Sequence, residues 1–226
     1  GADMDITGGI INAAHLVAGT TMTIAGGEIN TGSGEGTLQA TIINMNKGQV
    51  NGAKLTVTAK ENFTQNGGSI EAKDAAINVS NNMQLNGGLL QADVVRLRSE
   101  HGNIAQQYDN SVNQANGGLV YAGDLYISGN NAGTQPTTVD LGGRFNHLSN
   151  VVVENGITAN ITVGNGNDVD GTLTVRVGAA EAEAAGQLKG SLTVHNYVNG
   201  AANKLSVNDK LHATGDIKLI NDEANV

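Results

Sequence analysis

"TQNGGSIEAKDAAINVS" (residues 64–80) is followed twenty residues later by "QLNGGLLQADVVRLRS" (residues 84–99). The two stretches share an Asn-Gly-Gly corner, then an alanine at a fixed offset, Ala72 and Ala92. Alternating apolar residues come next: Ile77 and Val79 in the first stretch, Val95 and Leu97 in the second. Alternation at period two marks a strand, because successive side chains point to opposite faces. The interval extends in both directions. Asn46, Asn66 and Asn86 open "NKGQV", "NGGSI" and "NGGLL", and Asn116 opens "NGGLV" thirty residues further on. Upstream, "GGII" (8–11) and "GGEI" (26–29) are the same element in shorter units. The long interval before Asn116 places an insertion of about ten residues within "SEHGNIAQQYDNSVNQA".

A unit of twenty residues cannot bury its own apolar face, so units of this kind stack. The expected fold is all-β, a parallel β-helix with roughly 20-residue coils. Inward Ile, Val, Leu and Ala then form one column, and each coil pairs with the next about 4.8 Å away. Asparagine tolerates left-handed backbone, glycine supplies it at no steric cost, and stacked asparagines can bond one another's amides. Ordinary hairpins closed by "NGG" are the competing reading, but a meander has no reason to hold a fixed interval with alanine at one offset.

Residues 1–123 are expected to form regular repeats, and residues 124–226 a less regular continuation with longer loops. In the second part "DLYIS", "NVVVENG", "ANITV", "TLTVRV", "SLTVHNYV" and "KLSV" still read as strands. A separate β-sandwich is the alternative there. Insertions are expected at "GNNAGTQPTT" and at "AAEAEAAGQ" (179–187), the latter as a surface loop or a short helix. Roughly eleven coils would give a rod of about 50 Å.

Composition narrows the function. Glycine supplies 32 of 226 residues, where about 7% is ordinary. Aromatics are 3%, and cysteine and tryptophan are absent, so the core must be aliphatic and neither disulfides nor zinc–thiolate sites are available. A net charge of −9 disfavours nucleic acid and anionic membrane surfaces, both of which select basic patches. No apolar run reaches the roughly 18 residues of a membrane span. No secretory leader precedes "GADMDITGGI", which already reads as a repeat, so the chain is expected to be a piece of a longer polypeptide.

"NGGSIEA" with "AINVS", "NGGLLQADVVRLRS" and "GDIKLIND" resemble the repeats of filamentous haemagglutinin-like exoproteins of Gram-negative bacteria, most clearly over residues 4–128. That resemblance implies a right-handed β-helical shaft, exported through an outer-membrane transporter partner and used for adhesion or toxin display. The Asn-Pro motifs of the family's secretion domain are missing, which points to shaft. No functional residue of the family has a counterpart here.

Candidates for chemistry are few. Asp168 and Asp170 in "VGNGNDVDGTL" loosely match a calcium-binding repeat, but Val163 stands where its first glycine belongs and the unit occurs once, so a solvated turn is the simpler reading. His15, His101, His147, His195 and His212 show no metal-ligand spacing, although stacking could bring His147 toward His195. Asp74 and Asp93 could form an acidic stripe, which Arg96 and Arg98 would more simply neutralise. Of Tyr108, Tyr121, Tyr126 and Tyr197, only Tyr121 and Tyr126 are close, and their parity puts them on opposite faces if one strand runs through both. "GSGEG" (32–36) lacks the lysine of a phosphate loop and reads as a flexible corner.

The expectation is therefore a structural segment of a secreted or cell-surface bacterial adhesin. No enzymatic activity, catalytic or metal residue, or cofactor is expected. Its partners are a host or bacterial surface receptor, neighbouring repeats and the transporter, with no nucleic acid and no membrane insertion. The contact surfaces are expected in the loops at 101–118, 130–138 and 179–187. A polysaccharide lyase or hydrolase and a self-assembling filament subunit are the alternatives.

Overall fold

The structure, a computed structural model, describes residues 1–111, 117–129, 136–166, 172–178, 186–198, 204–207 and 211–223. These form strands β1 (Met4–Asn12), β2 (His15–Val17), β3 (Thr21–Asn30), β4 (Glu35–Val79), β5 (Met83–Ser99), β6 (Ile104–Gln106), β7 (Gly118–Gly129) and β8 (Thr137–Leu141). They continue as β9 (His147–Val153), β10 (Ala159–Asn165), β11 (Thr172–Val177), β12 (Gly186–Leu188), β13 (Leu192–Val198), β14 (Lys204–Val207), β15 (Leu211–Ala213) and β16 (Ile217–Glu223). No helix occurs among the described residues. The chain is a parallel β-solenoid, as the repeat predicts.

Several strands are longer than one face, because the backbone bends at its corners without losing its ladder. β4 alone covers two full coils. Inward positions of successive coils stand in register. Met4 pairs with Met22 and Met22 with Ile43. Phe63, Met83, Ile104, Val139, Ile161, Leu192 and Ile217 then follow one above another. A second column runs Ile77, Leu97, Ile127, Val153, Val177. These side chains are almost wholly buried apart from the two end rungs, where Met4 is partly buried and Ile217 is 41% exposed. Each buried aliphatic stabilises by roughly 1.5–3 kcal/mol, and only stacking makes that burial possible.

The alanine at fixed offset has its explanation in the corner. Ala72 pairs with Ala92 and Ala92 with Ala122, each just before the outward Lys73, Asp93 and Gly123. A Cβ at Gly123 would come within 2.8 Å of the Asp93 carbonyl oxygen, so coils approach closely at this bend. At the next coil Leu148 takes the alanine's place.

The Asn-Gly-Gly corner divides its labour differently from the sequence reading. No described residue other than glycine has a positive φ, so asparagine does not enter the left-handed region. The second glycine carries that conformation, with φ of 81° at Gly27, 88° at Gly48, 76° at Gly68 and 82° at Gly88. Asparagine provides the ladder. Asn66 donates to Asn46 Oδ1 at 2.9 Å and Asn86 donates to Asn66 Oδ1 at 3.0 Å. A parallel ladder joins Asn12, Asn30 and Asn51 at 3.3 and 3.2 Å.

The solenoid has about eight coils of about 22 residues, fewer than the eleven expected, because insertions lengthen the later ones. The register passes from Met83 to Ile104, but then from Ile104 to Val139 and from Ile161 to Leu192. The column has ten rungs from Met4 to Ile217, so at about 4.8 Å per step it is about 43 Å long rather than 50. The first insertion falls between Gln106 and Gly118, and a Tyr108–Gly117 antiparallel bridge closes its base. Of the stretch expected as loop or helix, residues 179–185 lie outside the described residues, and Gly186–Leu188 is strand β12, paired with β15.

Candidate functional site

The regular flank of the solenoid neutralises its own charges. Asp74 is ion-paired with Arg96, which lies two residues beyond the position opposite Asp74 on the next coil. Arg98 approaches Glu100 at 3.6 Å, and Asp124 accepts from Asn150 at 2.7 Å. Arg96 thus neutralises Asp74 as expected, whereas Arg98 turns to Glu100 and Asp93 sits exposed at its corner. Arg96 also lies over the Tyr126 ring, 5.1 Å from its centroid. Tyr121 stacks on His147 with ring centroids 4.3 Å apart. A shallow open groove of about 290 Å³ lies between Asp93, Tyr121 and His147.

One strand does run through Tyr121 and Tyr126, yet both side chains point outward and parity fails. The reason is the bend at Gly123, which resets the alternation: Ala122 and Leu125 are buried on either side of it.

The first insertion changes the picture. Its described residues Tyr108 and Asn110 lie against the later coils, and Asn110 reaches a partner 87 positions away. Asn110 Nδ2 donates to the Tyr197 hydroxyl at 3.1 Å and to the Gly142 carbonyl at 3.2 Å, and its Oδ1 accepts from the Arg144 backbone N–H at 2.7 Å. Tyr108 donates to Asp140 Oδ1 at 3.0 Å, and the Gly142 N–H donates to the same oxygen at 3.1 Å. Burial, then the Asp140 charge, pushes the Tyr108 hydroxyl up to about 12. Tyr197 stacks on His195 with centroids 3.7 Å apart.

Arg144 is at the centre of this cluster and is only 9% exposed. Its guanidinium carbon lies 5.8 Å from the Phe145 ring centroid and 5.9 Å from that of Tyr197. Among the described residues, ion pairs join Lys54 to Glu35, Arg96 to Asp74 and Arg98 to Glu100, but none reaches Arg144. The fold holds this region from below through a buried amide pair. Gln106 Nε2 donates to Asn146 Oδ1 at 2.6 Å, and Asn146 Nδ2 donates to Gln106 Oε1 at 3.0 Å and to the Leu141 carbonyl at 2.9 Å.

The remaining sequence candidates stay apart. His147 and His195 each stack on a different tyrosine, on strands of different columns. His15 hydrogen-bonds Thr37 at 2.9 Å. Among the described residues no three His, Asp or Glu side chains gather as a metal site. Asp168 and Asp170 lie outside the described residues. Sequence reasoning missed Asn110, Asp140 and Arg144. The available signal was "LGGRFNH", where Gly-Gly is followed by Arg-Phe-Asn instead of the usual aliphatic residues.

No protein-family model, curated protein or solved structure matches this chain.

Proposed function

We propose that the chain is a structural shaft segment of a secreted or cell-surface bacterial adhesin. The observation that carries this reading is the apolar column, which passes in register through the described coils from Met4 to Ile217. A body of this kind transmits force along one axis, through parallel ladders and a core with no domain boundary to yield first. The shaft stacks on neighbouring repeats of a longer polypeptide, leaves the cell through an outer-membrane transporter, and holds loops or a distal domain toward a host or bacterial receptor. Its role is mechanical and spatial, not enzymatic. The resemblance of the repeats to filamentous haemagglutinin-like exoproteins supports the same reading.

The test removes residues 63–82 from the full polypeptide in the producing bacterium. Phe63 and Met83 occupy the same rung position, so this excises one coil and rejoins the column in register. Antibody labelling of intact cells is expected to remain, and attachment is expected to be unchanged. Label that appears only in permeabilised cells, or attachment lost while surface label persists, would refute the shaft reading.

A further inference from the structure

We infer that the cluster around Arg144 binds a carboxylate-bearing saccharide unit, with the acid group on the Arg144 guanidinium and a sugar hydroxyl on Asp140. A guanidinium that no protein group pairs with keeps its N–H donors for water or for a ligand, and none of the Arg144 nitrogens is both buried and without a partner. Arg144 is nine-tenths buried, yet no described residue accepts a hydrogen bond from its guanidinium or pairs with it. The Phe145 and Tyr197 rings lie within cation–π range of the planar group, but rings do not fill its fork of N–H donors. That fork matches a carboxylate, which it binds through two parallel bonds.

Two further observations select the ligand. Asp140 belongs to the same cluster without pairing with Arg144, and both of its hydrogen bonds fall on Oδ1. Oδ2 is therefore open to a hydroxyl donor. Asp140 and Arg144 flank one turn, tied to it through Gly142 and Asn110, and do not pair with each other, an arrangement that suits a molecule with both an acid and hydroxyls. The net charge of −9 and the single arginine argue against a polyanion, which needs several cations to displace its counterions. The site is also preorganised. Asn110 holds the Arg144 backbone and the Tyr197 hydroxyl together, so little ordering remains to be done on binding.

The experiment is calorimetric titration of the whole chain with sodium glucuronate, the neutral methyl ester of glucuronic acid, glucose and heparin. Glucuronate is expected to bind, and the ester and glucose about tenfold or more weaker, since the charge-assisted contact is lost. Arg144→Gln is expected to abolish glucuronate binding with an unchanged circular dichroism spectrum. Asp140→Asn is expected to weaken it while leaving the preference for acid over ester. Equal binding of acid and ester, preference for heparin, or no binding of glucuronate overturns the inference. If Arg144→Gln fails to fold, the acid-against-ester comparison on the unaltered chain still decides it.

Discussion

Gly48→Ala tests whether stacked left-handed glycines are needed for conformation alone or also for the spacing of coils. Gly48 has φ of 88°, and a Cβ there would lie 2.7 Å from the Gly27 carbonyl oxygen and 2.9 Å from the Gly26 carbonyl carbon. Gly156 has φ of 84° with nothing within 4 Å of its Cβ position, so Gly156→Ala reports the conformational cost by itself. That cost is about 1–2 kcal/mol. At Gly48 the obstacle is backbone, so the adjacent coils must part by about 0.7 Å to reach ordinary contact. A ladder bond stretched that far exceeds the usual limit, and losing the two that flank the corner adds about 2 kcal/mol. We expect about 3–4 kcal/mol for Gly48→Ala against about 1–2 for Gly156→Ala. Stacked repeats need not unfold in one step, so urea denaturation should be paired with hydrogen exchange of the amides in β3 and β4. Equal losses at the two sites, with unchanged exchange around Gly48, would refute the claim that the corner sets the coil spacing.

Other outcomes follow from the same geometry. Asn146→Ala should cost about 3 kcal/mol, because it leaves the buried Val120 N–H without its acceptor and removes the amide bonds to Gln106 and to the Leu141 carbonyl; a shift of the urea midpoint measures it, and a loss below 1 kcal/mol would contradict the network. Asn66→Ala removes one donated and one accepted ladder bond at an exposed corner. It should cost only about 1 kcal/mol in thermal unfolding. Tyr108 is neutral in the fold up to about 12, while an unfolded tyrosine ionises near 10. Stability is therefore complete below pH 10 and falls as pH rises from there toward 12. Tyrosinate absorbance should show a late-titrating component that is smaller in Tyr108→Phe.

Among the described residues no metal-type cluster forms, and on the flank of the regular coils Asp74 is paired with Arg96. Irregularity is where polar groups converge. Asn110, in the insertion after Gln106, reaches across to Tyr197, 87 positions away. This follows from how a solenoid is built: insertions leave the column undisturbed and accumulate on its side.

The sequence by itself determined the coil, the inward alternation and the corner. Period-two alternation and a recurring Asn-Gly-Gly are local signals, and a twenty-residue unit with one apolar face has few ways to bury it. The tyrosine parity failed because alternation counts residues along a straight strand, and the bend at Gly123 restarts the count. The coil number depended on insertion lengths that carry no period. Contacts in the fold show that glycine, not asparagine, takes the left-handed backbone, and that Arg144 is buried in the turn that follows Asp140 with Asn110 holding its backbone. Those facts arise from contacts between residues tens of positions apart, and no spacing rule within a coil encodes what the side of another coil will meet.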